Sequence, residues 1–291
     1  MFFGSIPALV TPFAGGRVAE DTLAELVEWQ IAQGSNGLVP CGTTGEVATL
    51  TADEHRRVIE IVVNTARGRV PVIAGAGTYS TAASIERMRV AQELGADAAL
   101  AVVPYYNKPS QAGLAAHFRA LAGSCDLPIV VYNVPSRTVA DISVETLGEV
   151  ARLPTIVAVK DATGNLGRVT AQRLACGTEF CQLSGNDDMA LGFNAMGGVG
   201  CISVSANVAP RLCAELQKAT REGRWDEAMS LQDRLYPLHA ALFTDASPAP
   251  AKYALSRVRP GFPADVRLPL VEASDASKQA VDAALEHAGL I

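Results

Sequence analysis

The sequence lacks a basic run long enough to follow a phosphate backbone, and its 24 Lys and Arg are outnumbered by 30 Asp and Glu. The resulting formal net charge of −6 argues against nucleic acid as a partner. A membrane-spanning apolar run is also missing. The apolar start at residues 1–13 is short, is interrupted by Pro7 and Pro12, and carries no basic leader. We therefore expect no membrane partner and a cytoplasmic protein.

Cysteine pairs and histidine clusters are absent as well. None of the six cysteines belongs to a CxxC pair, and no secretory signal is evident, so we interpret them as reduced thiols in small apolar spaces. The four histidines are His55, His117, His239 and His287, and all fall in segments with a helical pattern, away from strand ends. A histidine-built metal site therefore has little support, and we expect no metal.

Eight short apolar segments alternate with amphipathic stretches over the first three quarters of the chain. They span residues 5–10, 37–40, 71–75, 97–103, 127–132, 155–160, 180–184 and 198–204. Because the runs are apolar at consecutive positions, they predict strands buried on both faces, and the helical stretches between them predict right-handed parallel crossovers. Eight such units in 291 residues predict an α/β fold, the (β/α)8 TIM barrel.

An open, doubly wound sheet is the main alternative. It is disfavoured because no GxGxxG follows the first strand, and the glycines at 197–200 have the wrong spacing for a dinucleotide-binding turn. After about residue 205, apolar positions recur only at helical spacing. We therefore predict a catalytic (β/α)8 barrel over residues 1–224 and a small C-terminal helical domain over residues 225–291.

Lys160 ends the apolar strand at 155–160, which places its amine at the carboxyl end of the barrel, where such enzymes hold their functional groups. Removal from water disfavours the charged ammonium, so part of the lysine is a neutral amine that can attack a carbonyl. Taken alone, a strand-end lysine more often extends its charge into solvent or pairs with an acidic neighbour, here Asp161. The residues that accompany Lys160 decide between these interpretations.

Tyr132 ends the preceding strand, one βα unit before Lys160, so the two side chains can meet over one reacting atom. A tyrosine hydroxyl can move protons between Schiff-base intermediates when hydrogen bonds tune it, although a strand-end tyrosine alone usually just covers the core. Arg137 lies in the loop that follows. Its guanidinium can bind a substrate carboxylate through two hydrogen bonds, and an ordinary exposed loop arginine is the alternative.

The loop PCGTTGE at 40–46 follows the second predicted strand. It combines two glycines with Thr43 and Thr44, and such a turn can present N–H groups to a small carboxylate. Simple turn chemistry also explains this composition.

Three more loops follow later strands. PYYNKPSQ at 104–111 carries Tyr105 and Tyr106, and two adjacent loop aromatics more often indicate packing or a subunit contact. SGNDD at 184–188 and CISV at 201–204 are expected to contribute backbone groups and no titratable side chains.

Six motifs taken together carry a resemblance: GTTGE, PYYNKPSQ, YNVPSRT, VKDATGN, SGND and GCISV. In this order and spacing they resemble the dihydrodipicolinate synthase and N-acetylneuraminate lyase family of class I aldolases. The resemblance covers nearly the whole chain, and LFTDASPAPAKYAL at 242–255 is similar to that family's helical C-terminal segment. It implies a barrel lyase that needs no metal or organic cofactor.

Carried over position by position, the resemblance implies that Lys160 forms a Schiff base with pyruvate and that Tyr132 donates and accepts protons. Thr43 would link these two residues. Tyr106 would complete the relay by reaching into the site of the neighbouring subunit. This arrangement implies a homo-oligomer, a tight dimer at least and usually a tetramer built as a dimer of dimers.

The resemblance also implies substrate-binding residues. Thr44 would bind the pyruvate carboxylate, the carbonyl of Ile202 would face the substrate, and the Gly185 region would line the pocket. Arg137 would bind the carboxylate of the second substrate, L-aspartate 4-semialdehyde, which condenses with pyruvate in the diaminopimelate route of lysine biosynthesis.

Arg137 separates the branches of this family, because sialic acid lyases generally lack it, and GTTGE in place of GSTGE points the same way. Both features favour the synthase branch. The alternatives are an N-acetylneuraminate or 2-keto-3-deoxy sugar-acid lyase and a non-catalytic ligand-binding barrel.

The sequence departs from the family at the positions that hold the inhibitor in lysine-inhibited members. These positions are Val47, Ala52, Tyr79 and Ala83, mostly apolar or aromatic here. His55 and Tyr105 match, but too few polar partners remain for a charged amino acid. We therefore expect weak or absent inhibition by lysine.

Overall fold

The structure is a computed structural model that describes residues 2–291; Met1, where the predicted barrel segment begins, lies outside them. Its strands are β1 (Gly4–Pro7), β2 (Phe13–Ala14), β3 (Arg17–Val18), β4 (Ile73–Gly75), β5 (Ala98–Val102), β6 (Ile129–Asn133), β7 (Ile156–Asp161), β8 (Cys181–Ser184) and β9 (Gly200–Ser203). Seven of them form one parallel sheet in the order β1-β9-β8-β7-β6-β5-β4, while β2 and β3 form a separate antiparallel hairpin.

The segment 37–40 closes this sheet into a barrel without forming a regular strand. Its parallel bridges join Ala8 to Val39 and Leu38 to Val72. The N–H of Val39 donates to the carbonyl of Pro7, and the N–H of Leu38 donates to that of Pro71, both at 2.9 Å. The ladder is short because proline offers no N–H, and this junction contains three prolines, at 7, 40 and 71. The predicted (β/α)8 TIM barrel is confirmed, with its second strand reduced to bridges.

Helices follow the strands and continue beyond them. They are α1 (Glu20–Ala32), α2 (Ala52–Ala66), α3 (Thr81–Glu93), α4 (Gln111–Ala122), α5 (Pro135–Thr138), α6 (Val144–Val150), α7 (Gly167–Cys176), α8 (Ala190–Ala195), α9 (Pro210–Arg221), α10 (Trp225–Ala241), α11 (Ala249–Val258) and α12 (Asp275–Ala288). Several begin at a capping side chain: Thr51 and Glu54 form a reciprocal capping box at α2, and Ser110 caps α4. Within residues 2–291, none of these helices has both the length and the apolar character needed to cross a membrane.

Side chains of the sheet alternate between the barrel interior and the layer beneath the helices. In β6, Val130 and Tyr132 belong to the interior cluster, whereas Ile129 and Val131 pack outward. Lys160 of β7 is paired with Tyr132 across the two strands. Because paired positions on neighbouring strands share a face, the lysine side chain also lies on the interior side, at the carboxyl end of the barrel.

The helices after the barrel share an apolar core with α9. Leucines from three helices contribute to it, namely Leu212, Leu216, Leu235, Leu238 and Leu285. The predicted boundary between residues 224 and 225 falls between α9 and α10, within this shared core, and the division into two domains stays a prediction. Helix α11 reaches back to the barrel, because Leu255 packs in the cluster between the strands and the outer helices.

Candidate active site

A cavity of about 510 Å³ opens at the carboxyl ends of the barrel strands. Six of the eight predicted site residues line it: Thr43, Thr44, Tyr132, Arg137, Lys160 and Gly185. They come from four different strand–loop junctions that are distant in sequence. The barrel therefore brings most of the predicted site to one place.

Lys160 and Tyr132 form the floor of this cavity. Lys160 is 6% exposed and Tyr132 is 7% exposed, and the Nζ atom of the lysine lies 4.2 Å from the centroid of the tyrosine ring. Within residues 2–291 no carboxylate lies within ion-pair distance of the amine. The amine is therefore held out of bulk water without a counter-charge, in contact with the face of an aromatic ring.

Asp161, the acidic neighbour of Lys160 in sequence, is engaged elsewhere. Its carboxylate accepts hydrogen bonds from the backbone N–H of Thr163 (2.8 Å) and from Nε2 of Gln172 (2.6 Å), and it lies 3.4 Å from Nε of Arg168. Successive residues of a strand point to opposite faces, so Asp161 lies on the helix side and Lys160 on the interior side. The alternative interpretation, in which Asp161 pairs with Lys160, is wrong.

The GTTGE turn presents its two threonines to the cavity. The N–H of Gly45 donates to the carbonyl of Gly42, and the N–H of Glu46 donates to that of Thr43, both at 3.0 Å. A Cβ at Gly45 would lie only 3.0 Å from the carbonyl oxygen of Leu9, which explains the second glycine of the motif. Thr43 is exposed at the cavity wall, whereas Thr44 is 6% exposed.

Arg137 stands at the rim of the cavity on the short helix α5. Pro135 begins this helix, and the hydroxyl of Thr138 donates to the carbonyl of Val134 at 3.0 Å, which stabilises the turn. The guanidinium is exposed and forms no ion pair within residues 2–291. It is therefore free to bind an anionic group that enters the cavity.

Gly185 forms part of the wall beside Lys160. Its N–H donates to the carbonyl of Asp161 at 2.7 Å, and a Cβ at this position would lie 2.7 Å from the Cβ of Ala162. Only glycine allows the strand ends to approach this closely, so a larger residue would displace the cavity wall.

Two predicted site residues do not line the cavity of the single chain. Tyr106 is 90% exposed and has a left-handed φ of 68°. Ile202 is fully buried in β9, where it pairs with Ile6. The residue of this strand end that does reach the cavity is Val204.

The structure adds cavity residues that sequence reasoning missed. Asn186, Asp187 and Asp188 line the cavity, although the sequence analysis expected only backbone groups from the SGNDD loop. The Asp187 carboxylate accepts hydrogen bonds from the N–H groups of Val204 (2.8 Å) and Ser205 (3.2 Å). The two aspartates were visible in the motif, and their position directly after a strand was the signal to include them.

His239 and Ser247 reach the cavity from the region after the barrel strands. Nδ1 of His239 lies 2.7 Å from the hydroxyl of Ser205, while its buried Nε2 has no hydrogen-bond partner within residues 2–291. Burial lowers the pKa of His239, which keeps the ring neutral near pH 7. Residues of this kind have no strand-end signature, and only the packing of α10 and of the segment after it over the barrel mouth reveals them.

All six cysteines are free, and four of them are buried. Burial raises the pKa of Cys176 and of Cys181 to about 11, which makes these thiols unreactive near neutral pH. Within residues 2–291, no group of three or more His, Cys, Asp or Glu side chains is arranged to hold a metal ion.

The fold and the cavity together define an enzyme class. The cavity holds the groups that a lyase of the class I aldolase type needs: a buried lysine and an exposed arginine, both without an ion-pair partner within residues 2–291, and a tyrosine beside the lysine. The model of the dihydrodipicolinate synthetase family matches residues 1–288, and the chain belongs to this family. The resemblance found in the six sequence motifs is confirmed.

Individual relatives agree with this family. A 4-hydroxy-tetrahydrodipicolinate synthase from Rhizorhabdus wittichii is 63% identical over 290 residues, with 100% of both chains covered. A dihydrodipicolinate synthase from Acinetobacter baumannii, complexed with pyruvate, has a TM-score of 0.96 at 41% identity, again with 100% of both chains covered. A monomeric dihydrodipicolinate synthase variant has a TM-score of 0.96 at 37% identity, covering 100% of this chain and 98% of that one.

Proposed function

We propose that this chain condenses pyruvate with L-aspartate 4-semialdehyde, the reaction of 4-hydroxy-tetrahydrodipicolinate synthase in the diaminopimelate route of lysine biosynthesis. The observation that carries the proposal is the Lys160 amine, buried beside Tyr132 with no carboxylate partner in the part of the chain that the structure describes. The Rhizorhabdus relative of that name, identical at 63% of positions over its full length, supports the same reaction.

Lys160 acts first as the nucleophile. Its neutral amine attacks the keto carbon of pyruvate, the resulting carbinolamine loses water, and a protonated Schiff base remains. Tyr132 donates and accepts the protons of these steps, and Thr43 links its hydroxyl to the rest of the relay. The iminium withdraws electrons, so the methyl carbon loses a proton and becomes an enamine carbon.

The enamine carbon then attacks the aldehyde carbon of the semialdehyde, whose oxygen takes up a proton and becomes the 4-hydroxyl group. The amino group of the semialdehyde attacks the iminium carbon and displaces Lys160, which closes the ring and regenerates the free amine. The protein's own side chains supply each proton transfer, and the scheme uses no metal or organic cofactor.

The remaining cavity residues bind the two carboxylates. Thr44 holds that of pyruvate, and the guanidinium of Arg137 binds that of the semialdehyde, consistent with its lack of an ion-pair partner among residues 2–291. The Gly185 wall leaves room for the condensed intermediate. Ile202 does not line the cavity of the single chain, so the role proposed for its carbonyl, to face pyruvate, rests on the family resemblance alone.

Tyr106 completes the relay from a neighbouring subunit in a homo-oligomer, which we propose to be a tetramer of two tight dimers. Three observations support this role: the ring is 90% exposed, it sits at a left-handed φ of 68°, and the adjacent Asn107 side chain donates to the carbonyl of Tyr79 at 3.1 Å. The last contact anchors the loop while Tyr106 projects outward. A bulky residue in that backbone conformation is strained, and such strain is typical of functional positions.

Inhibition by lysine is proposed to be weak or absent. Of the two family positions that match, His55 is buried and its Nε2 lies 2.7 Å from the carbonyl of Gly75, so its ring already has a partner. The departing positions Val47, Ala52 and Ala83 offer no polar side chain. Strong inhibition at sub-millimolar lysine in an activity assay would refute this proposal.

Turnover with different substrates tests the reaction. The purified protein is assayed with pyruvate plus L-aspartate 4-semialdehyde, and separately for cleavage of N-acetylneuraminate and of 2-keto-3-deoxy sugar acids. The proposal expects turnover only in the first assay. Preferred cleavage of a sugar acid would favour the lyase alternative, and no turnover in any assay would favour a non-catalytic barrel.

A further inference from the structure

A fully buried ion pair links the C-terminal helices to the GTTGE turn. Lys252 of α11 is 0% exposed, and its Nζ lies 2.5 Å from Oε1 of Glu46. Lys252 also donates to the carbonyl of Asp265 (2.7 Å), while the backbone N–H of Arg267 donates to Oε2 of Glu46 (2.9 Å). Both oxygens of the Glu46 carboxylate are therefore held by residues that follow the barrel.

Glu46 also occupies a strained backbone position, two residues after Thr44, the proposed pyruvate-binding residue. Its φ is 55°, in the left-handed region, where the Cβ of a residue other than glycine crowds the following carbonyl oxygen. Cys41, at the other end of the turn, also has a φ of 55°. Such conformations persist only where the surrounding structure holds them. For Glu46, the surrounding structure includes the side chain of Lys252 and the backbone of Arg267.

Lys252 of α11 and Arg267 of the loop between α11 and α12 contact the barrel at further points. Phe13 lies against two cations, with Nζ of Lys252 and Cζ of Arg267 each 4.2 Å from its ring centroid. The guanidinium of Arg267 pairs with Glu54 at 2.5 Å and donates to the carbonyl of Thr49 at 3.1 Å. The chain from the turn to the first residues of α2 is therefore clamped by one loop.

We propose that Lys252 is a positioning residue: through the buried carboxylate of Glu46, it fixes the turn that carries Thr43 and Thr44 against the carboxylate of pyruvate. This inference rests on the proposed function, in which Thr44 binds that carboxylate. Removing two charges from water is costly, and an apolar pair of similar size often stabilises a fold equally well. The specific contribution of the ion pair is thus the position of the turn rather than net stability.

Three variants test the role of the pair: Lys252→Met, Lys252→Met/Glu46→Gln, and Arg257→Met as a control on the same helix. Arg257 forms a surface ion pair with Asp282, with side chains that are 46% and 33% exposed. Each variant is first checked for a cooperative thermal transition. Schiff-base formation is then measured as the amount of pyruvate that borohydride traps on the protein at increasing pyruvate concentrations. The KM for each substrate is also determined.

Lys252→Met leaves a buried carboxylate without its cation, so this variant is expected to be the least stable. The double variant removes both charges and is expected to fold. In both variants, we expect half-saturation by pyruvate at about tenfold higher concentration than in the wild type, with the KM for the semialdehyde changed less than threefold. Arg257→Met should match the wild type in every measurement.

If the double variant folds and is half-saturated at the same pyruvate concentration as the wild type, the positioning role is wrong. A double variant that fails to fold would also exclude that role, because the pair would then serve the fold itself. An equal rise in both KM values would point to a general structural loss and would also overturn it. If the wild type itself traps no pyruvate, the proposed function fails instead, so the two failures are distinguishable.

Discussion

Tyr132 and Lys160 occupy paired positions on the neighbouring strands β6 and β7, and the lysine Nζ lies 4.2 Å from the centroid of the tyrosine ring. The pairing follows from the strand register, since both residues take the interior face at the carboxyl ends of their strands. The proposed nucleophile and the proposed proton-transfer group are therefore placed together by the backbone of a rigid sheet, and neither depends on a loop.

Replacing Tyr132 by phenylalanine should remove the proton-transfer hydroxyl and keep the ring. We expect kcat to fall about 10²- to 10⁴-fold, the range typical of lost general acid–base catalysis, while the fold and the Lys160 amine persist. Steady-state kinetics give the decrease, and borohydride trapping with pyruvate should still modify Lys160, only more slowly. A kcat within threefold of the wild type would exclude Tyr132 from the proton relay.

Replacing Arg137 by methionine should affect only the second substrate. Loss of a bidentate, charge-assisted carboxylate contact is expected to lower kcat/KM for the semialdehyde about a hundredfold. Half-saturation of pyruvate trapping should remain unchanged, because Arg137 does not bind that substrate. Arg137→Lys should restore little, since an ammonium cannot reproduce the planar fork. Equal losses for both substrates would assign Arg137 a structural role.

Tyr106 can be tested by complementation between subunits. Tyr106→Phe and Lys160→Ala variants are each expected to have little activity. Co-expressed, they form hybrid dimers in which one site combines an intact Lys160 with an intact Tyr106 from the partner, which should restore about a quarter of wild-type activity. A mixture no more active than the separate variants would mean that Tyr106 does not act across an interface.

Acid stability should depend on a buried histidine outside the cavity. Burial lowers the pKa of His117 from 6.5 to about 4. The unfolded chain therefore binds this proton at higher pH than the folded protein, so the free energy of unfolding should fall as the pH drops from 6.5 towards 4 and level off below. The expected contribution is about 3 kcal/mol, from about 1.4 kcal/mol per pKa unit.

Urea denaturation at pH 7, 5.5 and 4 measures this effect. A His117→Gln variant should lose less stability between pH 7 and pH 4 than the wild type does. His287, which is exposed near the end of α12, provides the control, and His287→Gln should follow the wild-type curve. Identical pH dependence in the wild type and His117→Gln would contradict the expected titration.

The barrel and the floor of the cavity could be predicted because both follow local rules. Consecutive apolar residues marked the strands, and strand-end positions placed Lys160, Tyr132 and the GTTGE turn at one end of the barrel. The second predicted strand, at residues 37–40, forms only two isolated bridges. The apolar pattern predicted a full strand because it does not show that Pro7, Pro40 and Pro71 have no N–H to donate.

Contributions from distant parts of the chain could not be predicted in the same way. His239 reaches the cavity from α10, and Lys252 meets Glu46 across 206 positions of sequence. Both depend on how the C-terminal helices pack on the barrel, and helical periodicity indicates which face is apolar but not what that face covers. The role proposed for Tyr106 came from the family resemblance alone, because in the single chain its ring is 90% exposed and lies outside the cavity.

The proposed reaction depends above all on a Schiff base between Lys160 and pyruvate. The most direct measurement is mass spectrometry of the protein treated with pyruvate and sodium borohydride, followed by digestion. We expect a reduced pyruvyl adduct on the peptide that contains Lys160, and no adduct in Lys160→Ala. An unmodified Lys160 peptide in the wild type, or an adduct on another lysine with activity retained in Lys160→Ala, would contradict the proposed reaction.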